Sequence, residues 1–131
     1  MRPPDVVVGD KDSPYMLRWH LIPRNRWFNI YLHKFLKSDD DRAMHDHPWW
    51  SLSFLLKGRY VNHTPRGARL RRRFSLMLMG ATSVHRVELI DEQPAWTLFV
   101  TGPKIREWGF LCPKGWVHWR EVLKREGGGC E

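Results

Sequence analysis

The sequence comprises 131 residues, of which 42% are hydrophobic, and carries a formal net charge of +8 at neutral pH. This length is typical of one domain, and the apolar content excludes a wholly disordered chain. No apolar run approaches the roughly 20 residues that span a bilayer, and the first residues lack the apolar core of a signal peptide. We therefore expect a single domain over residues 1–131, located in the cytoplasm and without membrane contact.

The two ends of the chain differ in composition from the rest. Proline and glycine predict a loose N-terminal arm over residues 1–14, in which residues 5–8 could form a short edge strand. A glycine-rich, flexible tail is predicted over residues 126–131. Cys112 and Cys130 are too few for a disulfide framework and are consistent with a reducing compartment. We interpret Cys112 as a packed thiol.

Between these ends, apolar and polar residues mostly alternate with period two, which is typical of β-strands. A short C-terminal helix is predicted over residues 116–125. Many short strands separated by glycine and proline turns favour an all-β sandwich or barrel. The predicted strands are, in chain order, residues 15–22, 27–36, 44–47, 49–57, 60–63, 70–79, 85–90, 96–101 and 107–112.

The tripeptide His45-Asp46-His47 is the strongest local feature for chemistry. In a strand, residues i and i+2 point to the same face, so the two imidazoles would aim at one point, as two ligands of a metal must. Asp46 would then point away, as a strand-edge charge. The alternative is a pair of surface histidines on an edge strand.

His85 is the candidate for a third ligand. It shares one face of its predicted strand with the apolar residues Val87 and Leu89. A histidine on a buried face must find a hydrogen-bond partner or a metal, because an unsatisfied buried ring is costly.

The spacing around these histidines resembles the first motif of the cupin superfamily. That motif consists of Gly, five residues, His-x-His, three or four residues, Glu, six residues and Gly. His45, His47 and Gly58 match it in register. Asp39 stands at the position of the first glycine, and Ser51 at the position of the glutamate ligand.

The second cupin motif carries one ligand histidine, for which His85 fits. Its surroundings depart from the motif at Gly80, Thr82 and Leu89. The resemblance covers about residues 27–101 and implies a small single-domain double-stranded β-helix, that is, a cupin or jelly-roll barrel. The metal ligands that the resemblance implies are His45, His47 and His85.

The serine at the glutamate position of the first motif limits the resemblance to one branch of the cupins. A site of three histidines without the glutamate is similar to the thiol dioxygenase branch of the cupins, and residues 44–48 look like the corresponding segment of cysteamine-type thiol dioxygenases. That branch uses Fe(II) and O₂ to oxidise a thiol to a sulfinate. The resemblance therefore implies an Fe(II)-dependent dioxygenase that acts on a small molecule, with a thiol as one candidate substrate.

Other functions stay open at this point. Imidazole ligands also suit Zn, and Mn or Ni are further candidates. The metal could serve a lyase or an isomerase as a Lewis acid, or the barrel could bind a small ligand or nucleic acid without catalysis. As small cupins often do, the chain is expected to form a homodimer.

Four residues are candidates for a catalytic or supporting role. Tyr31 and His33 share one face of a predicted strand, where they could hydrogen-bond a substrate or orient a ligand histidine, unless that face meets solvent. Strand parity places Ser51 on the inward face with His45 and His47. His63 could be a further ligand or support one, although such a residue is more often an exposed strand histidine.

A basic run contributes much of the positive charge. Arg69, Arg71 and Arg73 share one face of a predicted strand. Such a stripe could bind phosphate groups of a nucleic acid, but we favour a charged edge strand that resists aggregation. We interpret His118 as a structural or surface residue.

Overall fold

The described part of the chain, residues 2–9, 12–38 and 44–124 of a computed structural model, is built mainly from short antiparallel strands. A single turn of 3-10 helix, Ile90–Glu92, precedes β9. The elements are, in chain order, β1 (Val6–Gly9), β2 (Pro14–His20), β3 (Asn29–Phe35), β4 (Ser51–Lys57), β5 (Tyr60–Thr64), β6 (Gly67–Arg71), β7 (Leu76–Met79), β8 (Arg86–Leu89), β9 (Ala95–Thr101), β10 (Gly109–Cys112), β11 (Gly115–His118) and α1 (Trp119–Lys124).

The strands form three sheets. The largest has the order β1-β2-β3-β9-β4-β7, a second has the order β6-β5-β8, and β10 pairs with β11 as a hairpin. Strands that are distant in sequence, such as β4 and β9, lie side by side in the largest sheet. Between them the chain passes from one sheet to the other. No helix within the described ranges is long and apolar enough to cross a membrane.

The hydrophobic core lies between the two larger sheets. Leu55 and Ala95 come from the six-stranded sheet and are fully buried, and Tyr60, Val87 and Leu89 meet them from the three-stranded sheet. On β3, β4 and β9 buried residues alternate with partly exposed ones. The period of two seen in the sequence therefore reflects an inward and an outward face of each strand.

Gly58 occupies the turn between β4 and β5 for a steric reason. Its φ is +86°, which glycine adopts without the penalty that a side chain would meet. A Cβ atom at this position would also lie 2.7 Å from the carbonyl oxygen of Pro94. The glycine that matches the first cupin motif is thus required by the turn.

The N-terminal arm contains a regular element. β1 pairs in antiparallel fashion with β2 and forms the edge of the six-stranded sheet. The edge strand considered for residues 5–8 therefore exists, shifted by one residue. The predicted tail, residues 126–131, lies outside the described residues.

The single strand predicted over residues 70–79 is wrong. β6 belongs to the three-stranded sheet and β7 to the six-stranded sheet, and Phe74 between them has a φ of +68°. The guanidinium group of Arg71 is buried at this crossing and donates hydrogen bonds to the carbonyl oxygens of Ser53 and Ser75. These backbone acceptors satisfy the buried cation at the point where the chain changes sheets.

The predicted stripe of three arginines is consequently not formed. Arg71 is only 6% exposed, and Arg73 lies beyond the end of β6 and donates to the carbonyl oxygen of Leu56. Arg69 alone of the three is exposed on the strand. The observation that favoured nucleic acid as a partner is therefore lost.

The C-terminal helix is shorter than predicted. Residues 115–118 form β11, and α1 begins only at Trp119. Gly115, with a φ of +122°, allows the tight turn that returns the chain along β10. Pairing with β10 overrides the weak helical pattern of this segment.

A second apolar cluster lies under this hairpin. Phe110 and Cys112 are buried there against Trp108, Val117 and Trp119. Cys112 is disulfide-bonded, so our interpretation of it as a free packed thiol is wrong. The inference of a reducing compartment from the cysteine content loses its support, because disulfides are rare in the cytosol.

Candidate metal centre

The segment that carries His45 and His47 is not a regular strand, and the strand predicted over residues 44–47 is wrong. His45 makes an isolated bridge with His85, in which each backbone N–H donates to the other's carbonyl oxygen, over 2.9 and 3.0 Å. Proline at position 48 supplies no N–H to continue a ladder. The bridge nevertheless brings the third histidine directly beside the first.

The backbone groups of Asp46 and His47 are held by different parts of the chain. The N–H of Asp46 donates to the carbonyl oxygen of Gly109 over 3.1 Å, and the N–H of His47 donates to that of Ala81 over 3.1 Å. The backbone of this segment is therefore fastened to β10 on one side and to the loop before β8 on the other.

The rings of His45, His47 and His85 converge. Their centroids lie 4.8 to 5.2 Å apart, and one nitrogen from each ring lies within 4.8 Å of the others. A metal–imidazole bond is about 2 Å long, which places neighbouring ligand nitrogens about 3 Å apart. Small side-chain adjustments would thus bring all three nitrogens to one ion.

Burial keeps two of these rings, those of His47 and His85, uncharged. It lowers the pKa of His85 well below its ordinary value, helped by the positive charge of its neighbours. It also lowers the pKa of His47 to about 3, with smaller contributions from His45 and Arg18. Neutral imidazoles keep a lone pair, which is the form that binds a metal ion.

Asn62 orients His85. Its Oδ1 atom lies 2.7 Å from Nδ1 of His85 and can only accept, so Nδ1 carries the proton and Nε2 carries the lone pair. Metal-binding histidines usually donate their second nitrogen in this way. Sequence reasoning missed Asn62, although it shares the buried face of β5 with Tyr60.

His47 is held mainly by its neighbours' rings. It stacks on Trp49, with 5.2 Å between ring centroids. Its Nδ1 atom is buried and has no hydrogen-bond partner in the described ranges. The described residues therefore leave this nitrogen unsatisfied, which fits a place for a metal ion.

The three histidines line a cavity of about 260 Å³. Its walls are mostly aromatic and aliphatic, and two charged side chains, Arg18 and Asp46, reach it. The aromatic side chains that line it are Tyr15, Phe35, Trp49, Phe99, Trp108 and Phe110.

His33 faces this cavity from β3. It is 2% exposed, and its Nε2 atom accepts a hydrogen bond from Nε of Arg18 over 2.9 Å. Burial, reinforced by the charge of Arg18, holds the pKa of His33 well below its usual range. Tyr31 is also buried and stacks on His33 with 5.7 Å between ring centroids, but it is not among the described residues that line the cavity.

Ser51 and His63 lie outside the described wall of the cavity. Ser51 is 1% exposed on the inward face of β4, as strand parity predicts, but it is not part of the described cavity wall. His63 is partly exposed on the opposite face of β5 from Asn62 and bonds to Oε1 of Glu88 over 2.8 Å. Neither residue is grouped with the three histidines in the described structure.

Asp46 is a buried anchor, so our interpretation of it as a strand-edge charge is wrong. It is 2% exposed, and its carboxylate accepts hydrogen bonds from Arg106, from the N–H of Gly109 and from Nε1 of Trp116, over 2.6 to 2.9 Å. These partners lie 60 to 70 residues away in sequence. The carboxylate thereby joins the histidine segment to the β10–β11 hairpin.

Comparison with known proteins identifies the fold of this chain but not its activity. No protein-family model matches the sequence, and neither does any curated protein. A cupin-2 domain from Rhodospirillum rubrum, Rru_A2000, matches 94% of this chain and 82% of its own, with 11% identity and a TM-score of 0.65.

A DMSP lyase and an Fe(II) protein also share the fold. The DMSP lyase DddQ from Ruegeria pomeroyi matches 82% of this chain with 14% identity and a TM-score of 0.64. The Fe(II) protein HppE matches 73% of this chain with 15% identity and a TM-score of 0.61. This chain spans 57% and 54% of those two proteins. At such identities the likeness shows the fold alone, and the chain has the double-stranded β-helix fold of the cupins, as the sequence predicted.

Proposed function

We propose that this protein is a mononuclear Fe(II)-dependent dioxygenase that acts on a small molecule, with a thiol as the first candidate substrate. One observation supports this most directly: three imidazoles converge on a cavity with predominantly apolar walls. His45, His47 and His85 would hold the metal. Bound iron would supply the reactivity towards O₂ that protein side chains lack.

The donor set fits such a metal. The imidazoles of His47 and His85 are uncharged, and a carboxylate ligand is absent from the group among the described residues. A divalent ion held by neutral ligands retains its full charge, so an anionic group of the substrate, such as a thiolate, is a favourable further ligand.

The chain's own residues would position the reactants and exclude water. Asn62 keeps the lone pair of His85 on the metal side, and Asp46 fastens the segment that carries the other two ligands. The cavity of about 260 Å³ is below the usual size of sites for drug-sized ligands. It therefore suits a substrate of few atoms, and its aromatic wall keeps the reaction out of bulk solvent.

The test begins with metal content, measured by mass spectrometry on untagged protein purified without chelator. We expect close to one iron per chain in the wild type and loss of that iron in His45→Ala and His85→Ala. His118→Ala is the control, because His118 lies near Glu107 and outside the cavity wall. Iron-loaded protein should then consume O₂ when small thiols are added, and the two ligand variants should not.

Two results would contradict the proposal. Zinc at one per chain with no O₂ uptake would indicate a metal-dependent lyase or isomerase, a chemistry that the fold shared with DMSP lyases makes the next candidate. Absence of metal even after reconstitution would leave a barrel that binds a small ligand without catalysis. The homodimer and the cytoplasmic location remain predictions.

A further inference from the structure

A second cavity lies beside the one that the three histidines line. This outer cleft is bounded by the loop that joins β2 to β3, by residues 102–108 and by the start of α1. Trp49 and Trp108 belong to the walls of both cavities, whereas the three histidines are not in the described wall of the outer cleft. Its volume is about 610 Å³, which is within the usual range of sites for small molecules.

Positive charge is concentrated in the outer cleft. Its acidic residue, Glu107, accepts a hydrogen bond from Lys104 that holds the pKa of this carboxyl below its usual value, so it is ionised at neutral pH. Within the described wall, four cations and one carboxylate give an excess of three positive charges. Such an excess raises the local concentration of small anions. The cations are Arg24, Arg26, Lys104 and Arg120.

The three arginines of the outer cleft have no acidic partner among the ion pairs of residues 2–9, 12–38 and 44–124. Two of them are held by aromatic rings instead. The guanidinium carbon of Arg26 lies 4.6 Å from the centroid of the Trp27 ring, and that of Arg120 lies 5.2 Å from the centroid of the Trp119 ring. A ring covers one face of a guanidinium and leaves the N–H groups in its plane for other acceptors.

The loop that carries Arg24 and Arg26 is fixed by two asparagines. Oδ1 of Asn25 accepts hydrogen bonds from the N–H groups of residues 27 and 28, over 2.8 and 3.1 Å. The buried side chain of Asn29, the first residue of β3, accepts from the N–H of Asn25 and donates to its carbonyl oxygen, over 3.0 and 2.9 Å. The backbone that presents the two arginines is therefore ordered before any ligand binds, which lowers the cost of binding.

We propose that the outer cleft binds the diphosphate group of a small molecule of nucleotide size. A diphosphate carries about three negative charges at neutral pH, which would neutralise the excess charge of the wall, whereas a single carboxylate would leave most of it uncompensated. Arginine is suited to this role because its planar N–H groups match pairs of phosphate oxygens. The inference goes beyond the proposed function and requires neither a bound metal nor catalysis.

The test is calorimetric titration with inorganic phosphate, inorganic diphosphate and adenosine diphosphate. Each titration is done on protein as purified and on protein stripped of metal with a chelator and then desalted, because a diphosphate can also ligate a metal ion. We expect both diphosphates to bind at least about tenfold more tightly than phosphate in both preparations. Tighter binding of adenosine diphosphate than of inorganic diphosphate would assign the ligand to nucleotides, and equal affinities would assign it to diphosphates in general.

Substitutions in pairs assign the binding to the outer cleft. Arg26→Gln combined with Arg120→Gln should weaken binding of adenosine diphosphate by about tenfold or more, because hydrogen bonds to a charged group are lost. Arg66→Gln combined with Arg69→Gln is the matched control. It removes the same charge from exposed positions outside the described wall of the cleft and should leave the affinity unchanged.

A third variant should bind more tightly. Glu107→Gln removes the carboxylate from the cleft and frees Lys104 for the ligand. We expect the affinity for adenosine diphosphate to rise by about two- to fivefold, as the energies of exposed charge pairs indicate. A gain of affinity cannot result from partial unfolding, so this variant keeps the test decisive if the double arginine variant is poorly folded.

The proposal is overturned if neither diphosphate binds more tightly than phosphate. It is also overturned if the control pair weakens binding as much as the cleft pair, which would indicate unspecific attraction to a basic protein. Binding that disappears with the metal would show that the phosphate oxygens ligate the ion and would equally refute the cleft. A single-stranded oligonucleotide is titrated in parallel, and its binding in the absence of any binding of adenosine diphosphate would replace the small molecule by a nucleic acid.

Discussion

Nδ1 of His85 donates a hydrogen bond to Oδ1 of Asn62 over 2.7 Å, and both side chains are buried. This bond connects β5 to the residue that precedes β8, and it decides which nitrogen of His85 is available to a metal ion. The orientation of His85, a candidate ligand, therefore depends on the neutral side-chain amide of Asn62, which lies 23 residues earlier in the sequence.

Replacing that amide should weaken the metal centre without removing a ligand. We expect Asn62→Leu to reduce affinity for zinc or iron by about 10–100-fold, because the ring of His85 is then free to rotate and to change tautomer. Competition with a chromophoric chelator measures the change. His63→Ala is the control on the same strand, since His63 bonds to Glu88 outside the cavity wall, and equal losses in both variants would refute the role of Asn62.

The carboxylate of Asp46 should matter for stability and for the metal. Asp46→Asn keeps the shape but removes the charge that Arg106 faces over 2.6 Å. Breaking a buried ion pair by removing one partner costs about 3–5 kcal/mol, so urea denaturation should show a much lower free energy of unfolding. Metal affinity should fall as well, because the histidine segment loses its anchor.

A matched variant separates this effect from general loss of charge. Glu107→Gln removes a carboxylate from an exposed ion pair with Lys104, and exposed pairs contribute little. We expect no measurable change in its unfolding curve. A denaturation midpoint for Asp46→Asn equal to that of Glu107→Gln would contradict the anchoring role.

Arg71 should stabilise the crossing between the two sheets. Its guanidinium donates to Ser53 Oγ, to the hydroxyl of Tyr60 and to the carbonyl oxygens of Ser53 and Ser75. Arg71→Met would leave buried acceptors unsatisfied at a cost of about 1–3 kcal/mol each. We expect a drop in melting temperature of several degrees, measured by differential scanning calorimetry, whereas Arg69→Met on the exposed part of the strand should change it little.

Substitution of Ser51 by glutamate tests whether the residue at the glutamate position of the first cupin motif lies at the metal site. If Ser51 were at the metal, Ser51→Glu would tighten metal binding. Because Ser51 is 1% exposed and outside the described cavity wall, we expect no tighter binding and a loss of stability from an unpaired buried carboxylate. Metal titration and thermal unfolding of Ser51→Glu beside Ser51→Ala decide between the two.

The pattern of neighbouring residues in the sequence was sufficient to predict the strands and the turn that surround the site. The alternation of β3, β4 and β9 and the turn at Gly58 are properties of neighbouring residues, since a strand exposes two faces and a positive φ favours glycine. The resemblance to the cupins implied His45, His47 and His85 as a group of ligands, and their rings converge in the structure.

Tertiary structure alone decided what surrounds those histidines. Arg18 enters the cavity because β2 pairs with β3, and Asp46 is buried because Arg106 and Trp116 reach it from 60 and 70 residues away. The same holds for Arg71, whose acceptors include Ser53 on β4 of another sheet and Ser75 in the segment between β6 and β7. A buried polar group is defined by partners that only folding brings within hydrogen-bond distance, so no local pattern in the sequence could identify them.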